Sequence, residues 1–176
     1  GIAGAADVKI MPLRALDRNG SGSLDHVIRA ILWATNHGAD VINLSLGLEA
    51  HPQAFEEAVN YATAHGVAVI AASGNSGPVI YPAAYDNVIA VGATNINDRF
   101  AWYSSFGYWV DFTASGGDQR AGVLSTFPGA RIAEAMGTSL AAPHVSGLIG
   151  LLRSMNPLLR LEEAVEILAA SSDDLG

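Results

Sequence analysis

Three short, nearly unbroken apolar runs constrain this chain more than anything else in it: Val41 to Leu46 (VINLSL), Val67 to Ala72 (VAVIAA) and Val88 to Ala93 (VIAVGA). A strand with water on one face alternates apolar and polar residues. A strand apolar at successive positions is buried on both faces. Segments of helical spacing lie between these runs. Ser23 is placed to cap a helix in which Leu24, Val27, Ile28, Ile31 and Leu32 form one face, and Gly38 is suited to end it. Pro52 opens a second helix at its first turn, with Phe55, Ala58, Val59 and Ala62 as its inner face and His65-Gly66 closing it. Buried strands alternating with helices predict an α/β fold in three layers, a mostly parallel sheet flanked by helices.

The remaining segments fit this frame. Val8 to Leu16 (VKIMPLRAL) reads as a further strand, and Asp17 to Gly22 as a loop. Asn95 to Ala130 is rich in glycine, serine and aromatics, and predicts short strands near Trp109 to Thr113 and Val123 to Thr126. A helix is expected from near Ser139 past Leu152. Pro157 breaks it, and Leu161 to Ala170 forms a last amphipathic helix. No linker or low-complexity segment divides residues 1–176, so one domain is expected.

Composition narrows the function. The chain carries 17 acidic and 9 basic residues, a formal net charge of -8, which argues against nucleic acid as a partner. It has no cysteine, which excludes disulfides, thiolate metal sites and a cysteine nucleophile. No apolar run approaches the roughly 20 residues that span a bilayer.

The residues able to carry chemistry cluster in three motifs. In Gly137-Thr138-Ser139-Leu140-Ala141-Ala142-Pro143-His144-Val145 a serine stands where a loop becomes a helix. Free N–H groups and the positive helix end favour negative charge there, which suits a nucleophile whose product is an oxyanion. An isolated Gly-Thr-Ser would be read as a helix cap. In Ala71-Ala72-Ser73-Gly74-Asn75-Ser76-Gly77 an asparagine stands at the C-terminal end of a parallel strand, where open α/β sheets bind ligands. Its amide can donate to a developing oxyanion, although Gly-Asn alone is an ordinary turn. The third motif is Asp40-Val41-Ile42-Asn43-Leu44-Ser45-Leu46-Gly47.

Together these motifs resemble the subtilisin-like serine proteases. GTSLAAPHVSG is similar to the family's serine motif GTSMAxPHVAG, departing at Leu140 and Ser146. Ala71 to Asn75 resembles the oxyanion segment AAGN, with Ser73 in place of glycine or alanine. Asp40 to Gly47 resembles DVINMSLG. Weaker matches follow in order: Tyr81-Pro82 with Val88 to Ala93 (YPA…VIAVGA), Ser104 to Gly107 (FSSxG), and Val110 to Ala114 (VDVxAPG), where Ser115 replaces proline. The resemblance implies a serine endopeptidase with Ser139 as nucleophile. Asn75 and the Ser139 backbone N–H are the oxyanion donors. An extended polypeptide is bound as an added strand along Ser45, Leu46 and Gly47, with Ala72, Ser73 and Gly74 bordering the cleft. Ser73 and Ser76 suggest room for a sizeable apolar substrate residue. The resemblance also implies an extracellular protein made with a propeptide. No cofactor takes part in the chemistry, and calcium is at most a structural ion near the carbonyls of Ala83, Tyr85 and Val88.

The other two members of a catalytic triad are not in this sequence. The family order is Asp, then His, then Ser, and neither D-[ST]-G nor HGTH occurs here. Gly1 to Gly4 resembles the stretch just after the histidine helix. The chain is therefore expected to be a partial catalytic domain, inactive alone, with Asp and His encoded upstream. Its five histidines offer no substitute. His144 lies five residues after Ser139 on another face of the helix, and His26, His37, His51 and His65 belong to surface helices. Asp17, Asn19, Asp25 and Asp173-Asp174 match no metal-loop spacing, so no metal site is expected. Two other classes stand beside this reading. One is a non-catalytic peptide-binding relative. The other is a lipase-like hydrolase, which would need G-x-S-x-G where this chain has Gly137-Thr138-Ser139-Leu140-Ala141.

Overall fold

A computed structural model describes residues 6–175; the Gly1 to Gly4 match lies outside the described residues. Four parallel strands, β1 (Val41–Leu44), β2 (Ala68–Ala72), β3 (Ile89–Thr94) and β4 (Phe112–Ser115), form one sheet in the order β1-β2-β3-β4. Helices α1 (Leu24–Asn36) and α2 (Gln53–Ala64) cover one face, and α3 (Thr138–Met155) and α4 (Leu161–Ser171) cover the other. A two-stranded antiparallel hairpin, β5 (Val123–Phe127) with β6 (Arg131–Ala135), precedes α3.

The apolar runs become strands because both their faces are used. In β2, Val69 and Ala71 pack with Phe55, Val59 and Ile31 beneath α1 and α2, whereas Ala68, Ile70 and Ala72 pack with Ala141, Val145 and Ile149 of α3. All five β2 residues are buried. The helices end as read. Ser23 Oγ accepts the Asp25 N–H at the start of α1, and Gly38 and Gly66, at φ +77 and +79, follow the two C-caps. Pro52 is the N-cap of α2 rather than its first residue.

One segment differs from expectation. Val8 to Leu16 forms no strand, and residues 9–14 are exposed. An extended run becomes a strand only when a neighbour takes up its N–H and C=O groups, and Pro12 has no N–H to give. No strand among the described residues pairs with it. Arg131 to Ala135, a stretch to which no element was assigned above, forms β6, because the Pro128-Gly129-Ala130 turn folds it back onto β5 with Phe127 opposite Arg131.

At the entry to α2, His51 stacks on Tyr81 with ring centroids 4.6 Å apart, and Tyr81 lies 4.9 Å from Tyr85. Burial, with Glu56 and Tyr81 adding, pushes the Tyr85 hydroxyl up to about 12. Below about pH 10 the phenol is neutral in both folded and unfolded chains. Between about 10 and 12 only the unfolded chain ionises, so stability falls as pH rises through that window. In urea unfolding at about pH 9 and about pH 11.5, Tyr85→Phe is expected to lose less stability between the two than the wild type. Equal losses would contradict the assignment.

Candidate active site

The site forms where β1 and β2 end and α3 begins. Gly137 precedes α3 at φ +148, a conformation that favours glycine. Its N–H reaches the Gly116 carbonyl at 2.9 Å and the Tyr103 hydroxyl at 3.0 Å. That buried hydroxyl lies 2.7 and 2.8 Å from the carbonyls of Gly116 and Gly117, between which its one proton is shared. The approach to the helix is thus tied down before Ser139 is reached.

Thr138, fully buried, orients Asn75. Its backbone N–H and its Oγ1 both donate to Asn75 Oδ1, at 2.9 and 3.0 Å. A backbone N–H can face only an acceptor, so this pair fixes which end of the amide is oxygen and leaves Nδ2 to donate elsewhere. The Ser139 N–H lies in the first helical turn, where no intrahelical carbonyl is available. These two donors share one space. A Cβ built on Gly137 would lie 3.5 Å from Asn75 Nδ2 and 3.8 Å from the Ser139 nitrogen. The absence of that Cβ leaves a cradle for an atom that both can approach.

Ser139 is joined to the end of β1 in both directions. In an α-helix the carbonyl of residue 139 would accept from the N–H of residue 143, and Pro143 has none. Ser45 Oγ fills that role, donating to the Ser139 carbonyl at 2.9 Å. Asn43 Nδ2 donates to Ser45 Oγ at 2.9 Å, and Ser146 Oγ reaches Asn43 Oδ1 at 3.0 Å. The Ser139 hydroxyl makes only a long contact, 3.4 Å, to the Ser45 carbonyl. A weakly engaged hydroxyl on a firmly held backbone suits a nucleophile.

Of the other cleft residues, Leu46 and Gly47 follow Ser45 toward the surface, and Leu48 pairs with Tyr81 through two backbone bonds of 2.8 and 3.0 Å. Ala72 and Gly74 are buried. Ser73 turns inward, its Oγ donating to the Ser105 carbonyl at 3.0 Å, so it does not line an open pocket. Ser105 Oγ in turn accepts the Gly77 N–H at 3.0 Å and braces the Asn75 loop. None of the five histidines bonds to Ser139. His144 is held by the Leu140 carbonyl at 2.9 Å, His37 and His65 by carbonyls one turn back, and His51 by Glu56, while His26 lies exposed on α1. Thr138, Tyr103 and Pro143 carry roles that the motifs alone did not assign. Pro143 was the readable one, since a proline four residues after Ser139 leaves that carbonyl open.

The carbonyls of Ala83, Tyr85 and Val88 are oxygen donors of the kind a hard cation takes, and the Tyr85 carbonyl also accepts the Val88 N–H at 3.0 Å.

The chain is 48% identical over 170 residues to a thermophilic serine proteinase of Bacillus sp. strain AK1, covering 94% of this chain and 41% of that protein. It is 42% identical over 160 residues to subtilisin Savinase of Lederbergia lenta, covering 89% and 58%. The chain therefore spans less than two thirds of either relative. Among solved structures, a lanthipeptide protease superposes with a TM-score of 0.88 at 29% identity, covering 97% of this chain and 64% of that one. Sphericase superposes at 0.82 with 33% identity, covering 90% and 58%. The peptidase S8 pattern matches residues 1–176 throughout, and the chain belongs to the subtilase family.

Proposed function

We propose that residues 1–176 form the nucleophile and oxyanion half of a serine endopeptidase. The observation that carries this is the convergence of Asn75 Nδ2 and the Ser139 N–H on one space beside a serine at a helix N-terminus. An extended polypeptide lies along Ser45, Leu46 and Gly47, with Ala72 to Gly74 as the opposite border. Ser139 Oγ attacks the scissile carbonyl and gives its proton to a base. The carbonyl oxygen becomes an oxyanion in the cradle. Collapse expels the amine, which takes a proton from the conjugate acid of that base, and water then releases the acyl group. The base is a histidine oriented by an aspartate, both supplied from outside residues 1–176. β1 supports that origin, since it lies at the edge of the sheet directly below Ser45. No cofactor enters any step, and calcium, where bound near Ala83, Tyr85 and Val88, is structural. The protein acts outside the cell, after removal of a propeptide. No helix among the described residues is long and apolar enough to cross a membrane.

Casein hydrolysis tests this reading. The product of the complete reading frame is expected to cleave casein. Residues 1–176 alone are expected to be at least ~10³-fold slower, well inside the losses that removal of triad members causes in subtilisin itself. Tight peptide binding by the complete product with no cleavage would point to a non-catalytic relative.

A further inference from the structure

Gly47 and Gly74 flank the cleft at the ends of β1 and β2, and the gap between them is already occupied. A Cβ placed on Gly47 would fall 2.6 Å from Ile80 Cδ1 and 3.3 Å from Ile80 Cγ1. A Cβ placed on Gly74 would fall 3.2 and 3.3 Å from the same two carbons. One isoleucine side chain therefore touches both walls. We propose that Ile80 closes the primary specificity slot, so that the protease accepts glycine, alanine or serine as the residue donating the scissile carbonyl and rejects phenylalanine and leucine.

The inference rests on the protease reading and deepens it. A carbonyl seated beside Asn75 and Ser139 belongs to a residue whose backbone runs along Ser45 to Gly47. Gly74 is the neighbour of Asn75, so that residue's side chain enters between Gly47 and Gly74. There it meets Ile80. The slot cannot widen easily. Ile80 is half-buried against the core beneath α1 and α2, and its branched β-carbon limits its rotamers. Its neighbour Tyr81 is bound to Leu48, next to Gly47, by two backbone hydrogen bonds. Ile80's own carbonyl accepts the Ala84 N–H at 3.1 Å. The wall and the plug are thus parts of one braced unit. The room that Ser73 and Ser76 suggested from sequence is not there: Ser73 faces inward, and Ile80 occupies the gap.

The test uses the product of the complete reading frame and succinyl-Ala-Ala-Pro-X p-nitroanilides with X as alanine, leucine or phenylalanine. The wild type is expected to favour alanine over phenylalanine by about 10- to 100-fold in kcat/KM, the range over which an apolar pocket discriminates by size. Ile80→Ala is expected to raise the phenylalanine-to-alanine ratio by about tenfold or more. Ile80→Val, which removes only Cδ1, the carbon nearest both glycines, should raise the ratio as well, but by less than Ile80→Ala. Cleavage of the alanine substrate by each variant shows that it has folded. Equal or better cleavage of phenylalanine by the wild type overturns the inference and leaves the protease reading intact. A ratio unchanged in Ile80→Ala, with the alanine rate retained, does the same. Failure of the wild type to cleave all three substrates and casein overturns the protease reading and this inference with it.

Discussion

Ser139→Ala is expected to lower kcat of the complete protein by about 10⁶-fold, the loss that removing the nucleophile causes in subtilisin itself. What this structure adds is that the loss should be purely chemical. The Ser139 hydroxyl makes a single long contact of 3.4 Å, whereas the clamp from Ser45 falls on the Ser139 backbone carbonyl and survives the change. The variant should therefore unfold at nearly the wild-type temperature and bind peptide with nearly the wild-type affinity. Substantial destabilisation would mean that Ser139 is holding the fold. Retained cleavage would mean that the nucleophile is elsewhere.

Gly137→Ala is expected to cost about 10²- to 10³-fold in kcat, the scale known for removing an oxyanion donor from subtilisin. Here the donors remain and their target space is filled. The added methyl would lie 3.5 Å from Asn75 Nδ2 and 3.8 Å from the Ser139 nitrogen, in the space proposed for the oxyanion. The backbone at φ +148 also disfavours any side chain, by about 1 to 3 kcal/mol. KM should change much less than kcat, because the ground-state peptide is held mainly along Ser45 to Gly47. Steady-state kinetics separate the two. Activity within about threefold of wild type, far short of an oxyanion-donor loss, would show that the cradle is not the oxyanion site.

Much of this is legible in the sequence. A short apolar run that ignores the strand period and lies between glycines, such as Val67 to Ala72, reads as a strand buried on both faces, and the spacing of Phe55, Ala58, Val59 and Ala62 names the inner face of α2. Ser139 and Asn75 stand out as candidates because a serine at a helix start and an amide at a strand end are local features. What escapes depends on contacts distant in sequence. Val8 to Leu16 has the composition of a strand, but composition does not say whether a partner strand lies alongside. Arg131 to Ala135 is too short and mixed to announce a strand, and it becomes one because the turn at Pro128-Gly129 pairs it with β5. Ile80 gives no signal, since a residue can plug the space between Gly47 and Gly74 only once both strands are in place. Tyr103 stands where the family's FSSxG segment has phenylalanine, and only the fold sets its hydroxyl beside Gly137.

Whether Ser139 is the nucleophile is decided by treating the product of the complete reading frame with a fluorophosphonate and mapping the adduct by mass spectrometry. One phosphonyl group is expected, on Ser139, formed in step with the loss of caseinolysis and absent from Ser139→Ala. An adduct on a different serine, or full inactivation with Ser139 unmodified, would contradict the assignment.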